Sequence, residues 1–264
     1  MTGLRYVYAV CRPFTAPLQR QLTGVAGAPP RQLVHHGLVA VFSEVPASDF
    51  AEEPLRAHLE DLDWLTGVAR AHQGVIDALT VVTTPLPLRL GTVFHDDSGV
   101  RTMIEARERV FRRTLERLEG RVEWGVKVYA EVSPEQAQSG TPSAPAVSGQ
   151  PLSGRDYLRR RSTQARAHEN MWQQAEEFAG RLHATLCAHA EDSRLHNPQN
   201  ATLSGAAGRN VLNAAYLVPR SRSEEFVELV DRTKDESKGE TPGMRVELTG
   251  PWAAYSFVEE EERT

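Results

Sequence analysis

Hydrophobic and polar positions alternate along the chain in blocks that predict two α+β halves. Leu4-Arg5-Tyr6-Val7-Tyr8-Ala9-Val10-Cys11 is rich in β-branched and aromatic residues and stops at Arg12-Pro13, which predicts a strand. Arg31 to His36 and Gly37 to Val45 predict two more strands joined by a turn near Gly37, and the run Leu38-Val39-Ala40-Val41-Phe42 is apolar enough for a central buried strand. Leu55, Leu59, Leu62, Leu65, Ala69, His72, Ile76 and Leu79 recur at spacings of three and four. They predict one long helix with a single core face, with Ser48 or Asp49 placed to cap its start. A short strand is predicted over Leu79–Val82, and Pro85 and Pro87 force an extended path through Leu88 to Phe94. A second helix is predicted from Val100 to Leu118, with Ile104, Phe111 and Leu115 on one side and Gly120 as its terminator. Arg121 to Val132 reads as a closing strand.

The second half opens with a helical pattern over Arg155–Ala190. A strand-like stretch at Asn200–Ser204 follows, then a stronger strand at Asn210–Val218. A helix at Ser223–Thr233, a strand at Met244–Thr249 and a short apolar run at Ala254–Val258 complete the pattern. The fold class expected is therefore α+β: two domains, each a small antiparallel or mixed sheet with helices on one face, a ferredoxin-like variant being the most economical. Between the halves, Ser133 to Gly154 is dominated by Pro, Ser, Gly, Ala and Gln and carries no charge from Gln136 onward. Such a segment predicts a flexible linker, giving domains at 1–132 and 155–264, the latter ending in an acidic tail.

Composition narrows the function. At 264 residues, 40% hydrophobic and 25% charged, the chain has an ordinary globular make-up. Residues 1–132 hold 15 basic and 16 acidic groups, and residues 153–264 hold 15 and 18, so neither half has the basic balance of a nucleic-acid binder. The start lacks a signal-peptide pattern and no stretch reaches the length of a membrane span, so a cytoplasmic protein is expected. Cys11 and Cys187 cannot build a disulfide scaffold and read as small buried hydrophobes.

Catalytic chemistry is sparse. His58, Asp61 and His72 could share a helix face and supply metal ligands, the basis for an alternative reading as a metal-dependent hydrolase. However, His72 lies too far along for a tight ligand pair. His35-His36 precede a turn and have no partner at useful spacing in sequence. No Gly-x-Ser-x-Gly elbow is present, and Gly205 to Asn210 lacks the Lys-Ser/Thr ending of a phosphate-binding loop. No enzyme, cofactor or metal is expected from these patterns. A second alternative, a small-molecule-binding regulatory module of ferredoxin-like type, has no polar cluster in the sequence to support it.

What stands out are segments ending in Pro, Gly or aromatic residues: Pro87-Leu88-Arg89-Leu90-Gly91-Thr92-Val93-Phe94, Glu123-Trp124-Gly125-Val126-Lys127-Val128-Tyr129 and Gly250-Pro251-Trp252-Ala253-Ala254-Tyr255-Ser256-Phe257. With Leu59-Glu60-Asp61-Leu62-Asp63-Trp64-Leu65, Ala69-Arg70-Ala71-His72 and the opening Tyr6-Val7-Tyr8, they make the chain resemble the GvpL/GvpF family of gas vesicle proteins. Two departures are Leu90, where the family usually has Phe, and Gln73, where Glu often follows the His. The resemblance implies a cytoplasmic accessory protein of gas vesicle formation, built of two modified ferredoxin-type domains and without enzymatic activity. It further implies the small hydrophobic shell protein GvpA as partner, with other gas vesicle accessory proteins beside it. Aromatic residues and Arg are the usual interface anchors, which makes Trp64, Arg89, Phe94 and Trp124 the candidate contact residues.

Overall fold

A computed structural model describes residues 3–19, 21–130, 154–198, 208–240 and 243–258. The strand-like stretch at 200–204, nearly all of the Pro/Ser/Gly-rich segment and the acidic tail lie outside the described residues. The chain divides into two compact units, Met1–Glu123 with Pro251–Thr264, and Trp124–Gly250. This differs from the division that composition predicts. The uncharged segment sits within the second unit, and the last residues belong to the first. Composition does not record which elements pair on either side of such a segment.

In the first unit, β1 (Leu4–Cys11) is paired on one side with β3 (Leu38–Val45), which in turn pairs β2 (Arg31–His35). On its other side β1 pairs antiparallel with two short strands, β4 (Leu86–Pro87) and β5 (Val93–Phe94). A register shift between Val7 and Ala9 changes the alternation of β1. As a result Leu4, Tyr6, Tyr8, Ala9 and Cys11 enter one core cluster, while Val7 and Val10 enter another.

Two short helices, α1 (Ala47–Phe50) and α2 (Glu52–His58), precede α3 (Leu62–Val82), and α4 (Asp97–Leu118) follows β5. Val68, Val75, Ile76 and Leu79 of α3 pack with Tyr6 and Tyr8, whereas Val100, Ile104, Phe111 and Leu115 of α4 pack with Val7 and Val10. The α+β class holds, and helices cover both faces of this sheet rather than one. The cause is in β1 and β3: strands apolar at nearly every position must be covered on both sides. Leu79–Val82, expected as a strand, completes α3 instead.

The helix expected from Leu55 onward is broken at Leu59–Asp61. The Asp61 side chain accepts from the backbone N–H groups of Asp63 (3.0 Å) and Trp64 (3.1 Å) and so starts a new helix. Ser48 and Asp49 lie inside α1 and do not cap the longer helix. Gly120 follows α4 with φ +71°, the left-handed conformation that closes a helix cheaply only at glycine.

The second unit carries the sheet β7-β8-β6-β9, from β6 (Arg121–Ala130), β7 (Asp192–Leu195), β8 (Arg209–Pro219) and β9 (Met244–Trp252). The expected closing strand of the first domain is thus an inner strand of the second sheet. Helices α5 (Gly154–Cys187) and α6 (Ser223–Glu240) supply Phe178, Leu182, Leu186, Phe226 and Val230 to its buried residues. Tyr216 of β8 is fully buried, its ring 5.6 Å from Phe226 and its hydroxyl 2.7 Å from His183 Nδ1.

The last described residues complete the first unit. Ala253 enters the core cluster of Tyr6 and Tyr8, and Phe257 is fully buried. Glu123 holds the segment, its carboxylate accepting from Ser256 N–H (2.8 Å) and Ser256 O–H (2.7 Å).

Tyr8 also fixes the 3₁₀ turn at Val25–Gly27. Its hydroxyl donates to Ser43 Oγ (2.8 Å) and accepts from Val25 N–H (2.8 Å). A Cβ at Gly24 would stand 2.1 Å from the Tyr8 oxygen and 2.9 Å from Ser43 Oγ. We expect Gly24→Ala to destabilise the protein by about 1–3 kcal/mol in urea unfolding, and to cost less when combined with Tyr8→Phe, which removes the oxygen it strikes.

Candidate interaction surface

The helix break at Asp61 reshapes the surface of the first unit. Leu59 and Leu62, expected on a buried helix face, are 51% and 75% exposed. Trp64 is half-buried just after the break, stacked on His58 at 4.7 Å between ring centres and 5.4 Å from Phe50. Phe50 meets Tyr6 edge-on at 5.9 Å.

Tyr6 reaches the Arg89–Gly91 loop, accepting a hydrogen bond from Gly91 N–H (3.2 Å). Gly91 takes φ +79°, and a Cβ there would touch Leu55. Thr92 Oγ1 donates to Arg89 O (2.7 Å) and tightens the loop, which leaves Arg89 and Leu90 exposed. Trp64 and Leu55 pack on the cluster of Tyr6, which also binds the Arg89–Gly91 loop, and Leu59, Leu62 and Leu90 are exposed in the flanking segments.

Of the four candidate contact residues, Arg89 is exposed and Trp64 half-buried. Phe94 is half-buried and packs on the cluster of Val7, Val10 and α4. Trp124 is buried in the second unit, its indole N–H 3.4 Å from Ser223 Oγ and its ring 6.5 Å from Phe226. Sequence periodicity missed Leu59 and Leu62, because it ran one helix through a capping residue. The readable signal was Asp61, whose carboxylate can accept two N–H groups of the following turn.

The His58, Asp61 and His72 set does not form: His58 is stacked on Trp64, Asp61 caps α3 and His72 is buried in the core. Among the described residues, His35, His36 and Glu105 are the set whose ligand atoms converge, all within 4.8 Å of one another.

His72 Nδ1 lies 3.0 Å from Tyr6 O–H. The Tyr6 oxygen also accepts from Gly91 N–H, and His72 Nε2 has no hydrogen-bond partner. Burial makes the imidazolium costly and lowers its pKa from 6.5 to about 4. The same desolvation raises the Tyr6 and Tyr8 hydroxyls above their usual range and pushes the Cys11 thiol to about 12.

The described residues form two α+β units, and in the first Leu59, Leu62, Arg89 and Leu90 are exposed. A family model described as "Gas vesicle synthesis protein GvpL/GvpF" matches residues 4–259, and the chain belongs to that family. Membership gives it a role in gas vesicle assembly, and the family is no known class of enzyme. The chain is 57% identical to gas vesicle protein L of Streptomyces sp. (strain CB03234) over 255 residues, covering 97% of this chain and 92% of the relative. It is 27% identical to gas vesicle protein F of the same strain, covering 96% and 99%. Its fold matches the crystal structure of gas vesicle protein GvpF from Anabaena sp. PCC7120 with a TM-score of 0.68 at 20% identity, over 99% of this chain and 98% of that one. Among the described residues, no helix is long and apolar enough to cross a membrane.

The buried His72 makes stability depend on pH. Its folded pKa is below the unfolded one, so the unfolded chain takes up the proton first on acidification. The contribution is whole above about pH 6.5 and lost by about pH 4, amounting to about 3 kcal/mol. Urea unfolding at about pH 7 and about pH 4 measures it. His72→Gln is expected to show a correspondingly smaller loss between the two.

Proposed function

We propose that this chain binds the hydrophobic shell protein GvpA before it polymerises and keeps it from premature aggregation, without covalent chemistry of its own. The observation that carries this reading is the family match over residues 4–259, joined to the exposed apolar surface of the first unit. A shell subunit that assembles into sheets exposes apolar faces and strand edges while free. Leu59, Leu62 and Leu90 offer a desolvated contact for such a face, with Trp64 and Arg89 as anchors at its border. Phe94 packs on the other core cluster with Val7 and Val10, and Trp124 is buried in the second unit, so neither is assigned to this contact. Within the family we place the chain with the L proteins, on its 57% identity to protein L against 27% to protein F of one strain. A gas vesicle and the cytoplasm around it are the sites of action this reading requires.

Co-expression of the full-length chain with GvpA and capture on a tag tests it. The wild type is expected to retain GvpA, and Leu62→Asp or Trp64→Ala to retain at least roughly tenfold less, a loss typical of a contact worth about 1.4 kcal/mol or more. Leu62 is exposed, so its variant keeps the wild-type melting temperature. A wild type that retains no GvpA, or variants that retain it undiminished, overturns the reading.

A further inference from the structure

The hairpin β2–β3 turns through His36 and Gly37, with φ +47° and +67°, two left-handed residues in succession as a two-residue hairpin loop requires. Glycine and asparagine fill such positions at least cost, yet the chain places a second imidazole there beside His35. The two imidazole rings are 4.5 Å apart. Both are directed at one helix. His35 Nε2 lies 2.6 Å from Glu105 Oε1, and His36 Nδ1 lies 2.8 Å from Glu108 Oε2, three residues further along α4. Arg112 closes the group, donating to Glu108 Oε1 and to the His36 carbonyl.

We propose that His35, His36 and Glu105 form a binding site for a divalent transition-metal ion of zinc type. Two imidazole nitrogens and one carboxylate oxygen are the borderline ligands such ions prefer, and three protein ligands leave a fourth tetrahedral position for water. Ligand atoms around tetrahedral zinc stand about 3.3 Å apart at bond lengths of about 2 Å. Here all three lie within 4.8 Å of one another on exposed or half-buried side chains, so movements of about an ångström close the set. The ion takes the place of the proton between His35 Nε2 and Glu105, and the neutral imidazole then keeps its N–H on Nδ1.

Ion pairing alone accounts poorly for the arrangement. Exposed pairs contribute little, and a lysine or arginine would make them as well as an imidazole. Glu108 accepts hydrogen bonds from both His36 and Arg112. It therefore serves as a neighbouring positioning group. Bound metal would pin the hairpin tip, and with it the end strand β2, to α4.

Isothermal titration of the full-length, EDTA-treated chain with zinc chloride tests the site independently of any gas vesicle partner. One equivalent is expected to bind with micromolar or tighter affinity and to raise the melting temperature. His35→Ala, Glu105→Gln and His36→Asn, the last chosen because Asn tolerates the left-handed turn, should each weaken binding by roughly tenfold or more. The His95→Ala control should leave it unchanged. Circular dichroism of the metal-free variants confirms their folding, and Glu105→Gln, a near-isosteric change at an exposed position, keeps the test decisive if a histidine variant unfolds. The absence of saturable binding, or equal affinity in folded site variants and wild type, overturns the proposal.

Discussion

The first unit depends on satisfying two tyrosine hydroxyls that β1 carries into a core closed to water. Tyr6 and Tyr8 are both fully buried, and an unpaired hydroxyl in such a place costs about 1–3 kcal/mol. Each therefore recruits partners from distant parts of the chain. Tyr8 binds Ser43 of β3 and the backbone of Val25, which ties the 3₁₀ turn to the sheet. Tyr6 binds His72 of α3 and Gly91 of the loop between β4 and β5. Two hydroxyls thus set the positions of a neighbouring strand, a turn, a long helix and a surface loop.

That constraint shapes what the unit offers to a partner. The Tyr6 hydroxyl joins α3 and the Arg89–Gly91 loop, and Leu62 at the start of α3 and Leu90 in the loop are exposed. Phe50 and Trp64 extend the same aromatic chain outward to His58. In the proposed contact, residues held by a pinned aromatic scaffold lose little conformational freedom when occupied, so more of their apolar contact is available as affinity. His72 supplies the polar end of this scaffold, its Nε2 buried and without a hydrogen-bond partner.

Much of this fold was legible in the sequence where local pattern and long-range pairing agree. β1, β2 and β3 and the helices α4 and α5 follow their hydrophobic spacing closely. Legibility failed where one residue overrode the period, as Asp61 does, or where pairing is decided at long range. Nothing in Arg121–Ala130 records that its neighbours are β8 and β9, because an alternating strand fits any sheet with a matching face. The uncharged Pro/Ser/Gly/Ala segment shows the same limit, since composition reports burial and not connectivity. Of the surface, Trp64 and Arg89 were readable as residue types that anchor contacts, while Leu59 and Leu62 were hidden by a periodicity that the helix break interrupts. The His35, His36 and Glu105 group lay out of reach, because a hairpin tip and a helix some 70 residues apart come together only in the fold.

The return of Pro251–Val258 to the first unit bears on how the chain is made. A ribosome delivers Leu4–Cys11 well before Ala253, Phe257 and the Ser256 donors for Glu123, with all of Trp124–Gly250 in between. The opening strands can collapse early, but the unit they found is finished only after every residue of the other has been synthesised. Birth order and completion order are therefore inverted, and a nascent chain stalled before Ala253 carries an unsealed core.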